Sequence, residues 1–343
     1  MRVYATMDQR MGLDAVEDHA RRVEALGYDG LCVPDAVHDG LLLCHAALRV
    51  TSRLHTATSV LVAFPRSPML VAIAAWDLAA ASGGRFELGL GTQVRGNIER
   101  RYSTPWTAPV ARMREYVLAL REIWRAFQSG DGGSPLSFEG EHYRFTRLQP
   151  FFNPGPIAHP EIPIFLGAVG PRMTELAGEV ADGLMTHPTN SSPRYLREAT
   201  QPALSAGAKR AARDAHRLDL LAGGLVATGR DAAAVARERE RARELLTFLY
   251  STPAYWPSLE LFGWREVGER LHRLTREGKW GEMAGAITDE MLDVLVPHGT
   301  YAQIAAALRT WYGGLATRIN FPLPADSADD ALAVRAISEL RVA

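Results

Sequence analysis

The stretch Thr58–Gln93, TSVLVAFPRSPMLVAIAAWDLAAASGGRFELGLGTQ, constrains the fold of this chain more than any other. Thr58–Phe64 is a short β-branched, apolar run, as a strand requires. Pro65 and Pro68 punctuate it, and Pro68 suits the first turn of a helix. Met69–Ala81 is apolar all round, which predicts a well-buried helix. Ser82-Gly83-Gly84 stops that helix, and Arg85–Leu90 follows as a second apolar strand ending in Gly-Leu-Gly-Thr-Gln. Two such strands joined by a helix form a parallel βαβ unit. Ligands of such units gather beyond the carboxyl ends of the strands, here around Leu61–Phe64 and Gly89–Gln93.

The same alternation runs along the chain. Strands are predicted at Arg2–Met7, Gly30–Pro34, Ile162–Leu166, Gly183–Thr186, Leu218–Thr228 and Gly313–Phe321. Helices are predicted at Leu13–Leu26 (closed by Gly27), Leu41–Thr51, Pro109–Gln128, Pro171–Ala181, Pro193–Ala212 and Asp231–Leu246. Residues 129–160 are rich in Gly and Pro and read as a long loop with a small hairpin around Leu136–Phe145. Residues 250–297 break the rhythm and carry Tyr250, Tyr255, Trp256, Phe262, Trp264 and Trp280. On a fold with its site at one rim, such an insertion is either a lid or pocket wall, or a body with its own small core. Eight strands alternating with helices in a chain of 343 residues predict a single-domain (β/α)8 TIM barrel spanning 1–343. An open doubly wound sheet is the alternative. Its dinucleotide-binding version is disfavoured, because Gly89-Leu-Gly91-Thr-Gln-Val94 lacks the third glycine of G-x-G-x-x-G.

The segment SGGRFELGLGTQ resembles the signature after the fourth strand of the luciferase-like monooxygenase superfamily, TIM barrels that bind FMN or the deazaflavin coenzyme F420. The resemblance continues through Ile98–Trp124, PFFNPGP (Pro150–Pro156), Ile164–His187, STPAYWPSLELFGW (Ser251–Trp264) and Tyr312–Pro324, covering nearly the whole chain in order. This set looks most like the F420-dependent oxidoreductase branch. It implies F420 as cofactor, with FMN as the alternative. It also implies hydride transfer to or from a small organic substrate: a secondary alcohol, or an activated C=C or C=N bond. An FMN-dependent monooxygenase and an F420-binding protein without chemistry are the rival readings. The family usually forms homodimers.

Candidate site residues follow from strand ends and from this resemblance. Gly167-Ala168-Val169-Gly170 leads into a helix at Pro171, with Arg172 beside it. Such a turn offers unpaired backbone N–H groups and the positive end of the helix dipole to a phosphate, and the family places the cofactor phosphate there. Asp35 and His38 follow the second strand, placed to exchange protons with a substrate. The F420-using group resembles S-D-H at this point. Here Asp35 matches, but Ala36 stands where the histidine would be. Asp35 is either a proton carrier or a hydrogen-bond anchor. His38 is either catalytic or a neighbour of Asp39 at the next helix N-cap. Leu61–Phe64, with Val62 and Ala63 at its centre, resembles the family's β-bulge behind the deazaflavin ring, often with a non-proline cis peptide. Gly91, Thr92 and Gln93 are expected near the ring edge, where a glutamine can donate and accept hydrogen bonds. Glu99 matches a position where relatives tend to be acidic, and a salt bridge with Arg100 or Arg101 is an equal alternative. His187 closes the sixth strand at the rim and, with Tyr250, Tyr255 and Trp256, is expected to line the substrate pocket.

Composition excludes other classes. A formal net charge of −1 gives no pull toward nucleic acid or anionic lipid. No 18-residue apolar span and no leader pattern is legible, which predicts a cytoplasmic protein without membrane contact. The two cysteines, Cys32 and Cys44, read as buried thiols. No H-E-x-x-H or G-x-S-x-G motif occurs, so neither a metal centre nor a serine hydrolase is predicted.

Overall fold

Each apolar run of the first half is a strand feeding a helix. A computed structural model describes residues 1–130, 135–283 and 285–341; residues 131–134 and 284, within the predicted loop and insertion, lie outside the described residues. The chain opens with β1 (Arg2–Thr6), α1 (Leu13–Ala25), β2 (Gly30–Val33) and α2 (Gly40–Arg49). Next come β3 (His55–Thr58), β4 (Leu61–Val62), α3 (Pro68–Ser82), β5 (Phe86–Gly91), α4 (Arg95–Arg100) and α5 (Pro109–Ser129). The expected hairpin is β6 (Phe138–Glu139) with β7 (Arg144–Phe145), antiparallel. β8 (Ile164–Ala168), α6 (Pro171–Val180), β9 (Gly183–Thr186), α7 (Pro193–Tyr195), α8 (Gln201–Arg210) and β10 (Asp219–Ala222) follow. The remainder is β11 (Ala227–Gly229), α9 (Ala232–Tyr250), α10 (Pro257–Leu261), α11 (Arg265–Arg276), α12 (Asp289–Leu295), β12 (His298–Thr300), α13 (Ile304–Tyr312), β13 (Arg318–Asn320) and α14 (Asp330–Arg341).

The sheet is parallel and closed. β13 lies between β1 and β10, with Arg2 opposite Arg318, and β3 meets β5, with Thr56 opposite Phe86. β3 and β4 occupy one position in the ring, interrupted at Ser59–Val60, whose peptide bond is cis. Counting them as one leaves eight strands, the (β/α)8 barrel, and the open-sheet alternative falls.

The barrel closes over large rings because the facing strands supply glycines. A Cβ on Gly30 would sit 2.2 Å from Tyr4, and one on Gly183 would sit 2.4 Å from Phe165. Tyr4, Phe165, Cys32, Ala57, Met185 and Leu221 fill the interior. Beneath them Arg318, with only 3% of its side chain exposed, pairs with Glu87 and Asp219 and donates to the Tyr4 hydroxyl at 2.7 Å. A charge this buried is tolerated only with partners on all sides.

Two expectations need correction. Leu218–Thr228 is not one strand: β10 stays in the barrel, while β11 leaves it and pairs in parallel with β12, Ala227 opposite His298. The insertion therefore begins near residue 227 rather than 250. Its core joins Ala227, Leu246 and Tyr250 to Leu259, Leu271, Ile287 and Leu292, apart from the main core. Helix α3 is not buried all round, since Leu70 (65%) and Ile73 (42%) are exposed on its outer face, as is Leu42 on α2.

Candidate active site

Side chains on the barrel's inner face alternate along each strand. On β9 the series Gly183, Met185 points inward, so His187, two residues on, is the next rung at the mouth. Thr6 beyond the middle of β1 is exposed although Tyr4 below it is fully buried. The carboxyl end of the barrel is therefore an open bowl above a packed interior.

The bowl has an apolar floor. Val60 projects across Gly91 and Gly167: a Cβ on Gly91 would lie 2.3 Å from a Val60 methyl, and one on Gly167 would lie 2.9 Å away. Two glycines make room for one isopropyl group, and together they form a surface on which a planar ring can rest. Val62 and Ala63 do not contribute to it. Both are buried in the main core behind the strands. The Val62 N–H donates to Asp35 and the Ala63 N–H to the Gly91 carbonyl. It is Val60, two positions before Val62, whose side chain faces the two glycines, and its partners come from two other strands, which a local sequence pattern does not show.

The β8–α6 turn leaves the first amides of its helix without a side-chain partner. α6 opens at Pro171 with no side-chain cap, so its first N–H groups are free for a ligand. Beyond Gly170 a Cβ would meet nothing within 4 Å, so the space in front of the turn is open. The turn's carbonyls are drawn backward: Asn190 Nδ2 donates to Ala168 O at 3.0 Å and the Tyr195 hydroxyl to Val169 O at 3.1 Å. Arg172 is exposed beside it. Neither Asn190 nor Tyr195 carried a motif that could have announced this role.

The end of β2 differs from a free acid. Asp35 is 7% exposed and accepts from Gly40 N (3.0 Å), Val62 N (2.9 Å), and Arg66 Nη1 (2.9 Å) and Nη2 (3.2 Å). Arg66 also holds Asp39, the N-cap of α2. Of the two readings of Asp35, the geometry is that of the anchor: its carboxylate is spent fixing β2 to β4 and has no lone pair turned to the bowl. His38 is exposed on the same loop, its ring beside Gly12. Arg101 donates to the Ala36 carbonyl, tying the α4 end to this loop.

After β5, Gly91 joins the floor, but Thr92 and Gln93 turn to local structure. The Thr92 hydroxyl donates to Gln93 O at 3.1 Å. Gln93, at φ 59°, accepts at Oε1 from Val94 N and Asn97 Nδ2, so only its amide nitrogen remains for a ligand. Glu99 forms a surface pair with Arg95 at 2.9 Å, one helical turn away, and not with Arg100 or Arg101.

At the opposite rim His187 and Tyr255 come together, stacked at 4.5 Å with planes 8° apart. Burial pulls the His187 pKa down to about 4. Tyr250 and Trp256 do not reach the bowl. Tyr250 is fully buried in the insertion core and donates to Thr189 O at 3.1 Å. Trp256 donates to Tyr250 O at 2.8 Å, and its ring fills the space over Gly268. The insertion thus has its own core, while Tyr255 lies at the rim against His187. Among the described residues no cluster of three His, Cys, Asp or Glu could hold a metal, and no helix is long and apolar enough to cross a membrane.

An apolar floor for a planar ring and an open, uncapped helix N-terminus at the adjacent strand end fit a flavin-like ring with a phosphate-bearing tail. The family model of luciferase-like monooxygenases matches residues 2–318. The chain belongs to that family. Among luciferase-like relatives, an uncharacterized protein of Mycobacterium tuberculosis is 44% identical over 302 residues, 88% of each chain. A putative coenzyme F420-dependent oxidoreductase of the same organism is 30% identical over 280 residues, 76% of each chain. Among solved structures, the coenzyme F420-dependent tetrahydromethanopterin reductase of Methanopyrus kandleri superposes with a TM-score of 0.79 at 18% identity. That match covers 99% of this chain and 96% of the reductase, and it shows the shared luciferase-like barrel.

Proposed function

We propose that this chain is an F420-dependent oxidoreductase acting on a small organic substrate, an alcohol or an activated C=C or C=N bond. The observation that carries the proposal is the pairing of the Val60–Gly91–Gly167 floor with the open N-terminus of α6. The named F420-dependent relative supports the choice of cofactor. When bound, F420 supplies a hydride donor or acceptor at C5 of its deazaflavin. Val60 would support that ring from one side and leave the other face to the substrate. The α6 amides and Arg172 would hold the phosphate. Asp35 and Arg66 would keep β2, β4 and α2 in register around the ring. His38, exposed on the loop after β2, would take or return the substrate proton. The insertion, through Tyr255, would close part of the bowl and limit water. A homodimer is proposed as the working form, and the exposed Leu42, Leu70 and Ile73 support it.

Parallel fluorescence titrations with F420 and FMN test this reading. Binding of F420 at least tenfold tighter than FMN is expected, with reduction of bound F420 by a secondary alcohol or its reoxidation by an enone or imine. Preference for FMN with oxygen consumption would place the chain among the monooxygenases. Tight F420 binding without turnover on any of those substrates would leave a cofactor carrier.

A further inference from the structure

Resting on that function, we infer that His187 is a fixed hydrogen-bond donor to the substrate, and that the substrate is a neutral molecule carrying a carbonyl or hydroxyl oxygen. The ring's orientation comes from its own turn. His187 Nδ1 accepts from the Thr189 N–H at 3.4 Å and lies 2.9 Å from Thr189 Oγ1. Its backbone N–H donates to Asn190 Oδ1 at 2.7 Å, completing a reciprocal cap of the short helical turn Pro188–Asn190. With Nδ1 accepting, the single proton of the neutral ring falls on Nε2. Tyr255 covers one face of the imidazole, so the ring can neither rotate out nor be approached from that side. Nε2–H is left as a donor on an inward-facing rung of β9.

The side chains that touch the ring are uncharged: Thr189 and Tyr255. Thr6, Ser59, Gly91, Val169 and Asn320, at five other strand ends, are not ionisable either. Asp35 is neutralised by Arg66. The chain has only two lysines, Lys209 and Lys279, and Lys279 is paired with Glu277 on the insertion. Burial keeps His187 neutral. A ketone or alcohol oxygen needs only the donor that His187 presents, whereas a phosphate or carboxylate would gain no opposite charge from a neutral imidazole.

Nitrogen-15 NMR of histidine-labelled protein, with the His187 resonances assigned through His187→Gln, tests this without turnover. At pH 7 an unprotonated Nδ1 and a protonated Nε2 are expected. Addition of cyclohexanone or cyclohexanol should move the Nε2 resonance, and glucose 6-phosphate should not. A charged ring, the opposite tautomer, no response to either neutral probe, or a response to the sugar phosphate would overturn the inference. In steady state with F420 and cyclohexanol, His187→Leu should raise KM at least tenfold with a smaller change in kcat, and His187→Gln, which keeps an N–H donor, should recover part of it. An unchanged KM in His187→Leu would also overturn it. F420 titration of the same samples separates the two claims: the NMR pattern without F420 binding would refute the function and leave the His187 site standing, and F420 binding without the pattern would do the reverse.

Discussion

Single residues at the rim divide into those that hold the bowl and those that face it. Arg66 belongs to the first group: it is the only side chain bonded to both Asp35 and Asp39 among the described residues. Removing one member of a buried ion pair leaves the other uncompensated. Arg66→Met should therefore destabilise the protein by about 3 kcal/mol and weaken F420 binding, read by urea unfolding and titration. Arg66→Lys should restore only part, because an ammonium cannot reproduce the two-pronged contact. His187 belongs to the second group, and its pKa gives a sign. Unfolded, it takes up a proton near pH 6.5; folded, not until about 4. Stability is thus unaffected by this group above pH 6.5 and falls as pH drops toward 4. His187→Gln should remove on the order of 2–3 kcal/mol of that loss, seen by comparing unfolding free energies of the two proteins at pH 7 and pH 4.5. Equal pH dependence would mean that the ring titrates normally.

Elements carry the next set of consequences. The floor depends on three positions from three strand ends. Gly91→Ala would place a methyl 2.3 Å from Val60, so it should cost about 1–3 kcal/mol by overpacking and reduce F420 affinity. Adding Val60→Ala should recover stability while leaving binding weak, since the floor is then incomplete. Gly170→Val tests the phosphate turn differently. No protein atom lies within 4 Å of the added Cβ, so the melting temperature should hardly move, while F420 affinity should fall at least tenfold. Unchanged affinity would remove the turn from the site. Most of these elements were legible in the sequence, because Pro at N1 of α3, α5 and α6 and Gly after α1 and α3 fix helix ends locally. The facing of Val60 was not, since it is defined by Gly91 and Gly167 on two other strands. Likewise Asp35 was visible as a strand-end acid, but its neutralisation by Arg66, 31 residues away in sequence, is a property of the closed ring. Tyr250 and Tyr255 are five residues apart and of one type, yet one is core and the other rim. Periodicity over so short a span does not separate them.

At the scale of the molecule, the closed end of the barrel is crossed by a buried charge cluster. Arg318 reaches Glu87 on β5 and Asp219 on β10 through the interior. Arg318→Met should cost about 3–5 kcal/mol, with the loss expressed as global unfolding and not as a change in substrate preference; a shift in preference without destabilisation would contradict this division. The insertion is joined differently. β11 and β12 lie side by side, Ala227 against His298, so the chain departs and returns at neighbouring points. The described residues between them have their own core and meet the barrel mouth through Tyr250 at Thr189 and Tyr255 against His187. Such a segment has the topology of a cassette: no barrel strand lies between its two ends. Within the family, new substrate walls could then be acquired by replacing this one stretch, while the floor and the phosphate turn stay as they are.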